Sequence, residues 1–167
     1  MIFHQLIEGN IMNLYPVQES QWMPLQRSAY SIDPIKTKAK RIVVGLEHVT
    51  KDADDRGDPK MSITVFPDSD LTWNVETDLG NGRLSLRWQC DTKELFGVLV
   101  FERALFDHLD RRAWEAVLTV KVPAQGGWQI GDAETAFANT QHLDENNKLY
   151  VLAMSILYAV VNGPSVG

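Results

Sequence analysis

The chain has 167 residues, of which 44% are hydrophobic and 23% charged, and it carries a net charge of −6. This is the composition of one folded domain that can bury a core without disulfides or metal, and it excludes a disordered segment. The charge is uneven: residues 1–50 hold five Lys+Arg against four Asp+Glu, so the remaining 11 and 18 leave residues 51–167 at −7. An acidic body repels phosphate backbones, so nucleic acid is not the expected partner.

Cys90 is the single cysteine, so no intramolecular disulfide forms. It sits in an apolar strand pattern, where a thiol behaves as a small hydrophobe. The opening MIFHQLIEGNIM lacks the basic start and unbroken apolar run of a secretory signal. The stretch from Leu149 to Val161 is too short to cross a bilayer. A cytoplasmic protein with no membrane contact is the expectation.

In chain order, residues 1–40 show no clean period and combine Pro16, Pro24 and Pro34 with Phe3, Tyr15, Trp22 and Tyr30. Proline breaks helix interiors and sheet ladders, so the segment predicts an extended arm with apolar anchors. Across its end, KTKAKR (36–41) reads as a protected sheet edge. A single domain then occupies 41–167. IVVGLEHV (42–49) and MSITVF (61–66) read as strands.

Between them KDADDRGDPK holds Asp52, Asp54, Asp55 and Asp58. Counted as a calcium loop from Asp52, position 5 is Arg56 and position 12 is Ile63, neither of which serves as an acidic ligand. The stretch reads as a solvated turn.

Asn81-Gly82 is a preferred pair for a type I′ hairpin turn. With the turn there, Leu79 faces Leu84, Thr77 faces Leu86, Val75 faces Trp88 and Trp73 faces Cys90, which puts the apolar partners on one face. LFGVLVF (95–101) is apolar on both parities, the mark of a strand covered on both faces.

ERALFDHLDRRAWEAV then shows helical spacing. Leu105, Phe106, Leu109, Ala113, Ala116 and Val117 share one face, and Arg103, Asp107, Arg111 and Glu115 form an i,i+4 charge ladder. On this helix Trp114 falls on the polar face among Arg103 and Asp107, as an interface anchor does. The alternative is that Trp114 opens an inward strand with Ala116 and Leu118. LTVKV (118–122) alternates again, a Gly126-Gly127 turn leads into Trp128 and Ile130, and residues 132–141 are ambiguous. Asp144 caps a last helix through Asn162, closed by Gly163 and Pro164.

These elements predict an α+β domain: an antiparallel β-meander of five to seven strands packed by two helices, with an extended N-terminal arm. Their order resembles that of class I type III secretion chaperones, which are small, acidic and dimeric. The chain departs from that order by its proline-broken arm in place of a first helix and by one strand more.

No motif for chemistry stands up. GPSVG (163–167) matches Gly-x-Ser-x-Gly, but a helix precedes Ser165 and no Asp or His follows it. His4, His48, His108 and His142 lack metal-ligand spacing. No catalytic residue, cofactor or metal is therefore expected. The last helix is apolar nearly all round, so the sheet alone does not cover it. The expected function is binding another protein, as a chaperone, inhibitor or adaptor does, within a homo-oligomer, most simply a homodimer. The interaction candidates are Trp114, Arg103, Asp107, Tyr150, Tyr158 and Trp22. A self-assembling subunit of a virion or other particle using the arm is the alternative. An enzyme or metal protein with a dispersed site is the third reading.

Overall fold

The computed structural model describes residues 19–51, 57–131 and 143–163, with the side chains of residues 19–22 left aside. In chain order the elements are α1 (Glu19–Gln26), α2 (Ala29–Lys51), β1 (Met61–Phe66), β2 (Ser69–Thr77), β3 (Gly80–Cys90), β4 (Leu95–Phe106), β5 (Arg112–Pro123), β6 (Gln129–Ile130) and α3 (Glu145–Asn162). The six strands form one sheet in sequence order, and every strand-to-strand ladder is antiparallel. This is the predicted α+β meander.

Strand alternation divides the sheet into two faces. Trp73 and Val75 of β2, Leu84 of β3, Phe101 of β4 and Val120 of β5 join the core formed with α2 and α3. Phe96, Val98 and Val100 of β4 point the other way and form a separate cluster. Every residue from Leu95 to Glu102 is buried, as its double-parity apolar run predicts.

The first correction concerns α2. Residues 29–40 were expected in an extended arm and 42–49 in a strand, but one helix runs through both and through the expected domain boundary at 41. Its buried Ile35, Ala39, Ile42, Val43, Leu46 and Thr50 recur at mostly three- and four-residue steps, while Lys40, Arg41, Val44 and His48 are exposed. Pro34 sits before this stripe begins and withholds one N–H without ending the helix. The basic run 36–41 is thus on a helix rather than a sheet edge. Lys38 Nζ donates to Pro123 O (2.6 Å) at the end of β5 and to Gly126 O (2.8 Å) just beyond it, and Lys40 pairs with Asp70 at 3.1 Å. Gly45 lets α3 approach, since a Cβ there would stand 2.6 Å from Leu149 Cδ1.

The acidic stretch consequently joins α2 to β1 rather than two strands, and Asp52, Asp54 and Asp55 lie outside the described residues. Residues 1–18, which hold much of the expected arm, and the ambiguous 132–141 also lie outside them.

The β2–β3 hairpin forms with a different turn. Thr77 pairs with Gly80, Val75 with Gly82 and Trp73 with Leu84, so the turn centres on Asp78-Leu79, three residues before the predicted site. Neither Asn81 nor Gly82 has a positive φ. The turn is held by Thr77, whose Oγ1 donates to Gly80 O (2.7 Å) and accepts from Leu79 N (3.1 Å). Gly82 is needed for another reason: its missing Cβ leaves room for the buried Phe101 ring of β4. The three-residue move at the turn shifts the partner of each residue by six, an even number, so the inward set is unchanged. The outer end of that set, Trp88 and Cys90, is exposed and not buried as expected.

The second large correction is at 103–117. No helix forms there; the segment is the β4–β5 hairpin. Arg103 pairs across strands with Glu115 (2.7 Å), and Arg111 pairs with Asp107 (2.9 Å) across the turn. Both pairs have residue numbers that sum to 218, so a hairpin centred on 109 satisfies the same four charges as a helical ladder. The supposed apolar helix face is not a buried stripe, since Phe106 and Leu109 are exposed. With this helix absent, the element order on which the chaperone resemblance rests is not the one observed.

At the C-terminal end α3 matches the reading closely. Asp144 accepts the Asn147 N–H as N-cap, and Gly163 closes the helix at φ 76. Among the described residues, no helix is long and apolar enough to cross a membrane.

Candidate functional site

Beside the N-terminal half of β5, α3 leaves an open groove of about 560 Å³. The sequence of α3 explains it. Leu149, Leu152, Ala153, Ile156, Leu157 and Ala159 are buried inward, yet the outward positions are apolar as well. Val117 and Leu118 of β5 and Tyr150, Val151, Met154 and Tyr158 of α3 make most of its wall. Ser155, also in the wall, donates its hydroxyl to Val151 O at 2.7 Å and offers little polarity. Tyr158 is 62% exposed and Val161 beyond it 56%, so the stripe continues into solvent.

β6 pairs with β5 only at Lys121, and Gly131 bridges Val120, so the ladder on this side of β5 ends there among the described residues. Arg103 packs at the C-terminal end of α3, beside the Gly163 that ends the groove. Held by Glu115, it points Nη1 at Val161 O (3.4 Å) and packs where a Gly163 side chain would be. A cation at a helix C-terminus is well placed against the macrodipole.

The structure therefore brings together three of the predicted interaction residues, Tyr150, Tyr158 and Arg103, around α3. The Tyr150 hydroxyl also lies 3.4 Å from Asp58 Oδ2, linking the helix to the end of the acidic stretch. Trp114 is elsewhere, on the sheet face turned away from α2 and α3, half-buried and paired with Ala104. The predicted grouping of Trp114 with Arg103 and Asp107 came from helical geometry and dissolves in the hairpin. Nor does Trp114 point inward with Leu118, because a bulge between Phe101 and Glu102 turns it outward with Ala116. Asp107 organises the β4–β5 turn. The Arg111 and Leu109 N–H groups and the Arg111 guanidinium hold its carboxyl below the usual carboxylate range against a desolvation cost. Trp22 falls in α1, with its side chain outside the described residues.

Sequence reasoning missed Arg83, Arg87 and Glu102. Glu102 is buried on β4, accepting from Arg83 Nε on Oε2 (2.6 Å) and from Arg87 Nη2 on Oε1 (2.8 Å). Burial alone would raise its carboxyl, but the hydrogen bonds and charges of the two arginines outweigh that and leave it below its ordinary value. The available signal was an acid ending the apolar run of β4 opposite a strand carrying arginines two positions apart from its serine.

Among the described residues no cluster of His, Cys, Asp and Glu is arranged to hold a metal ion. Comparison with protein-family models, curated proteins and solved structures finds no match for the chain.

Proposed function

We propose that this protein works by binding another protein chain through the groove of α3 and β5, as chaperones, inhibitors and adaptors do. The observation that carries this reading is the apolar outward stripe of α3, in which Tyr150, Met154 and Tyr158 follow one another at single helical turns beside Val117 and Leu118. Folded monomers rarely expose a large contiguous apolar patch, and one rimmed by polar groups marks an interaction site. Tyrosine suits it because the ring is apolar and the hydroxyl stays wet. The groove offers carbon, two phenols and one hydroxyl already bonded to the helix, which is chemistry suited to docking an apolar surface. A second copy of the chain is the simplest occupant, since twofold dimers are the commonest assemblies.

The test compares the parent with the double variant Met154→Glu/Tyr158→Glu. Sedimentation and affinity capture from the native host are expected to show a self-associated species or a stoichiometric partner for the parent. The variant, with an unchanged circular dichroism spectrum, is expected to lose it. A folded variant that keeps every associate of the parent refutes the reading, as does a parent that is monomeric and alone at tens of micromolar.

A further inference from the structure

On the opposite face of the sheet we infer a second docking surface, built from β3, β4 and β5 and suited to a short acidic peptide with an apolar side chain. It carries four cations held in place by aromatic rings or by one shared carboxylate, more positive charge than that carboxylate neutralises. Arg83 lies 4.4 Å from the Trp114 ring centroid, Arg112 lies 5.7 Å from the same ring, and Lys121 sits 4.1 Å over Phe96. Arg83 and Arg87 share one carboxylate, Glu102, while neither Lys121 nor Arg112 forms an ion pair among the described residues. Aromatic rings hold a cation at a smaller loss of its charge than a carboxylate does. Among the described residues of β3, β4 and β5, Arg83, Arg87, Arg112 and Lys121 on this face stand against the single carboxylate of Glu102, in a protein whose net charge is −6.

The cations surround carbon. Phe96, Val98 and Val100 run down the centre of this face, and an open cavity of about 400 Å³ lies over the first two. Its other walls include Lys121, Gln89, Gln129 and Thr119, giving one cation, two amides and a hydroxyl around an apolar floor. Between Arg83 and Arg87 on the same strand, the buried Ser85 hydroxyl has no hydrogen-bond partner among the described residues. An apolar side chain in the cavity, with carboxylates to Lys121 and Arg87 on either side, matches this arrangement. β3 and β5 lie about 10 Å apart, and Arg83 and Arg87 about 13 Å apart along the strand, so the surface spans a few residues of extended peptide.

Charge complementarity favours a short acidic peptide over a nucleic-acid strand. Asp91 and Glu94 outnumber Lys93 at the β3–β4 turn, Asp110 stands beside the Asp107–Arg111 pair at the β4–β5 turn, and Glu76 on β2 flanks the strands. A continuous polyanion would run off the cationic area onto these carboxylates, whereas a short segment ends before reaching them.

The test selects a phage-displayed random decapeptide library on the parent and on the triple variant Arg83→Glu/Arg87→Glu/Lys121→Glu. A second variant, the glutamine variant Arg112→Gln/Lys121→Gln, leaves the Arg83–Glu102–Arg87 cluster intact and keeps the selection interpretable should the charge reversal unfold the sheet. Peptides retained by the parent are expected to be enriched in Asp and Glu around one or more large apolar residues. Their binding should weaken at least tenfold from 50 to 300 mM salt and at least tenfold on the glutamine variant, with amide shifts on β3–β5. Four results overturn the inference: selection of neutral or basic peptides, equal binding by the glutamine variant, shifts confined to α3, or tighter binding of a ten-nucleotide oligo-dT than of the selected peptides. The Met154→Glu/Tyr158→Glu variant is expected to bind the selected peptides as the parent does, which separates this surface from the α3 groove.

Discussion

Adding one methyl group at Gly82 tests the packing of the sheet against its core. A Cβ built there falls inside van der Waals contact with two carbons of the Phe101 ring and 2.9 Å from Glu102 O. Phe101 is 1% exposed and is held between β3 and the helices, so the ring has no free volume to move into. Overpacking of this kind costs about 1–3 kcal/mol for alanine. At about 2–4 °C per kcal/mol for a chain of this size, melting falls by roughly 2–12 °C. The assay is thermal and urea unfolding of Gly82→Ala, Gly82→Asn and Gly82→Val.

The order of the three distinguishes this account from a turn at 81–82. Steric packing predicts alanine as the mildest change and valine as the worst, with asparagine between them. A turn glycine with positive φ predicts asparagine as the mildest, because asparagine tolerates that conformation. Trimming the ring with Phe101→Leu should recover part of the alanine cost, a coupling of about 1 kcal/mol in a double-mutant cycle. An alanine variant within about 0.5 kcal/mol of the parent refutes the packing argument.

Two further outcomes follow from named contacts. Glu102 is held below its ordinary value of 4.5, so its contribution is complete above that value and is lost as pH falls through the lower folded pKa. Glu102→Gln is therefore expected to flatten the acid limb of the stability profile below about pH 4.5 while costing stability at pH 7, and an unchanged acid limb by urea titration contradicts this. Removing the helix cap with Asp144→Ala should cost about 1 kcal/mol, with asparagine at the same position nearly neutral, and equal unfolding midpoints for both would show that the cap contributes nothing.

Several elements were legible because one local signal had one solution. α3 has a capping aspartate, an apolar run and a terminal glycine, and no strand accommodates all three. The doubly apolar run at 95–101 has only the middle of a sheet to occupy, and there it lies. The inward set of β2 and β3 was legible too, since side-chain parity survives an even shift of register even when the turn is misplaced. Tyr150 and Tyr158 were named as interaction candidates on the same pattern, and both line the groove beside β5, because an all-round apolar helix leaves some carbon uncovered whatever packs beneath it.

The remaining elements depended on contacts distant in sequence. IVVGLEHV has strand propensity, but its buried positions line up with Ile35 and Ala39 only once a sheet is present to bury that stripe, and packing then overrides propensity. The charges at 103, 107, 111 and 115 fit a helix and a hairpin equally well. What chose the hairpin was the apolar strand β4 continuing past Phe101, with β3 on one side and a returning strand needed on the other. Gly82 looked like a turn residue because its real constraint, the Phe101 ring, lies nineteen positions away on the next strand. The arginines around Glu102 are separated in the same way. Sequence by itself determined which segments were apolar and at what period; only the tertiary structure decided which neighbours satisfied them, because burial and charge pairing are properties of contacts and not of the residues taken singly.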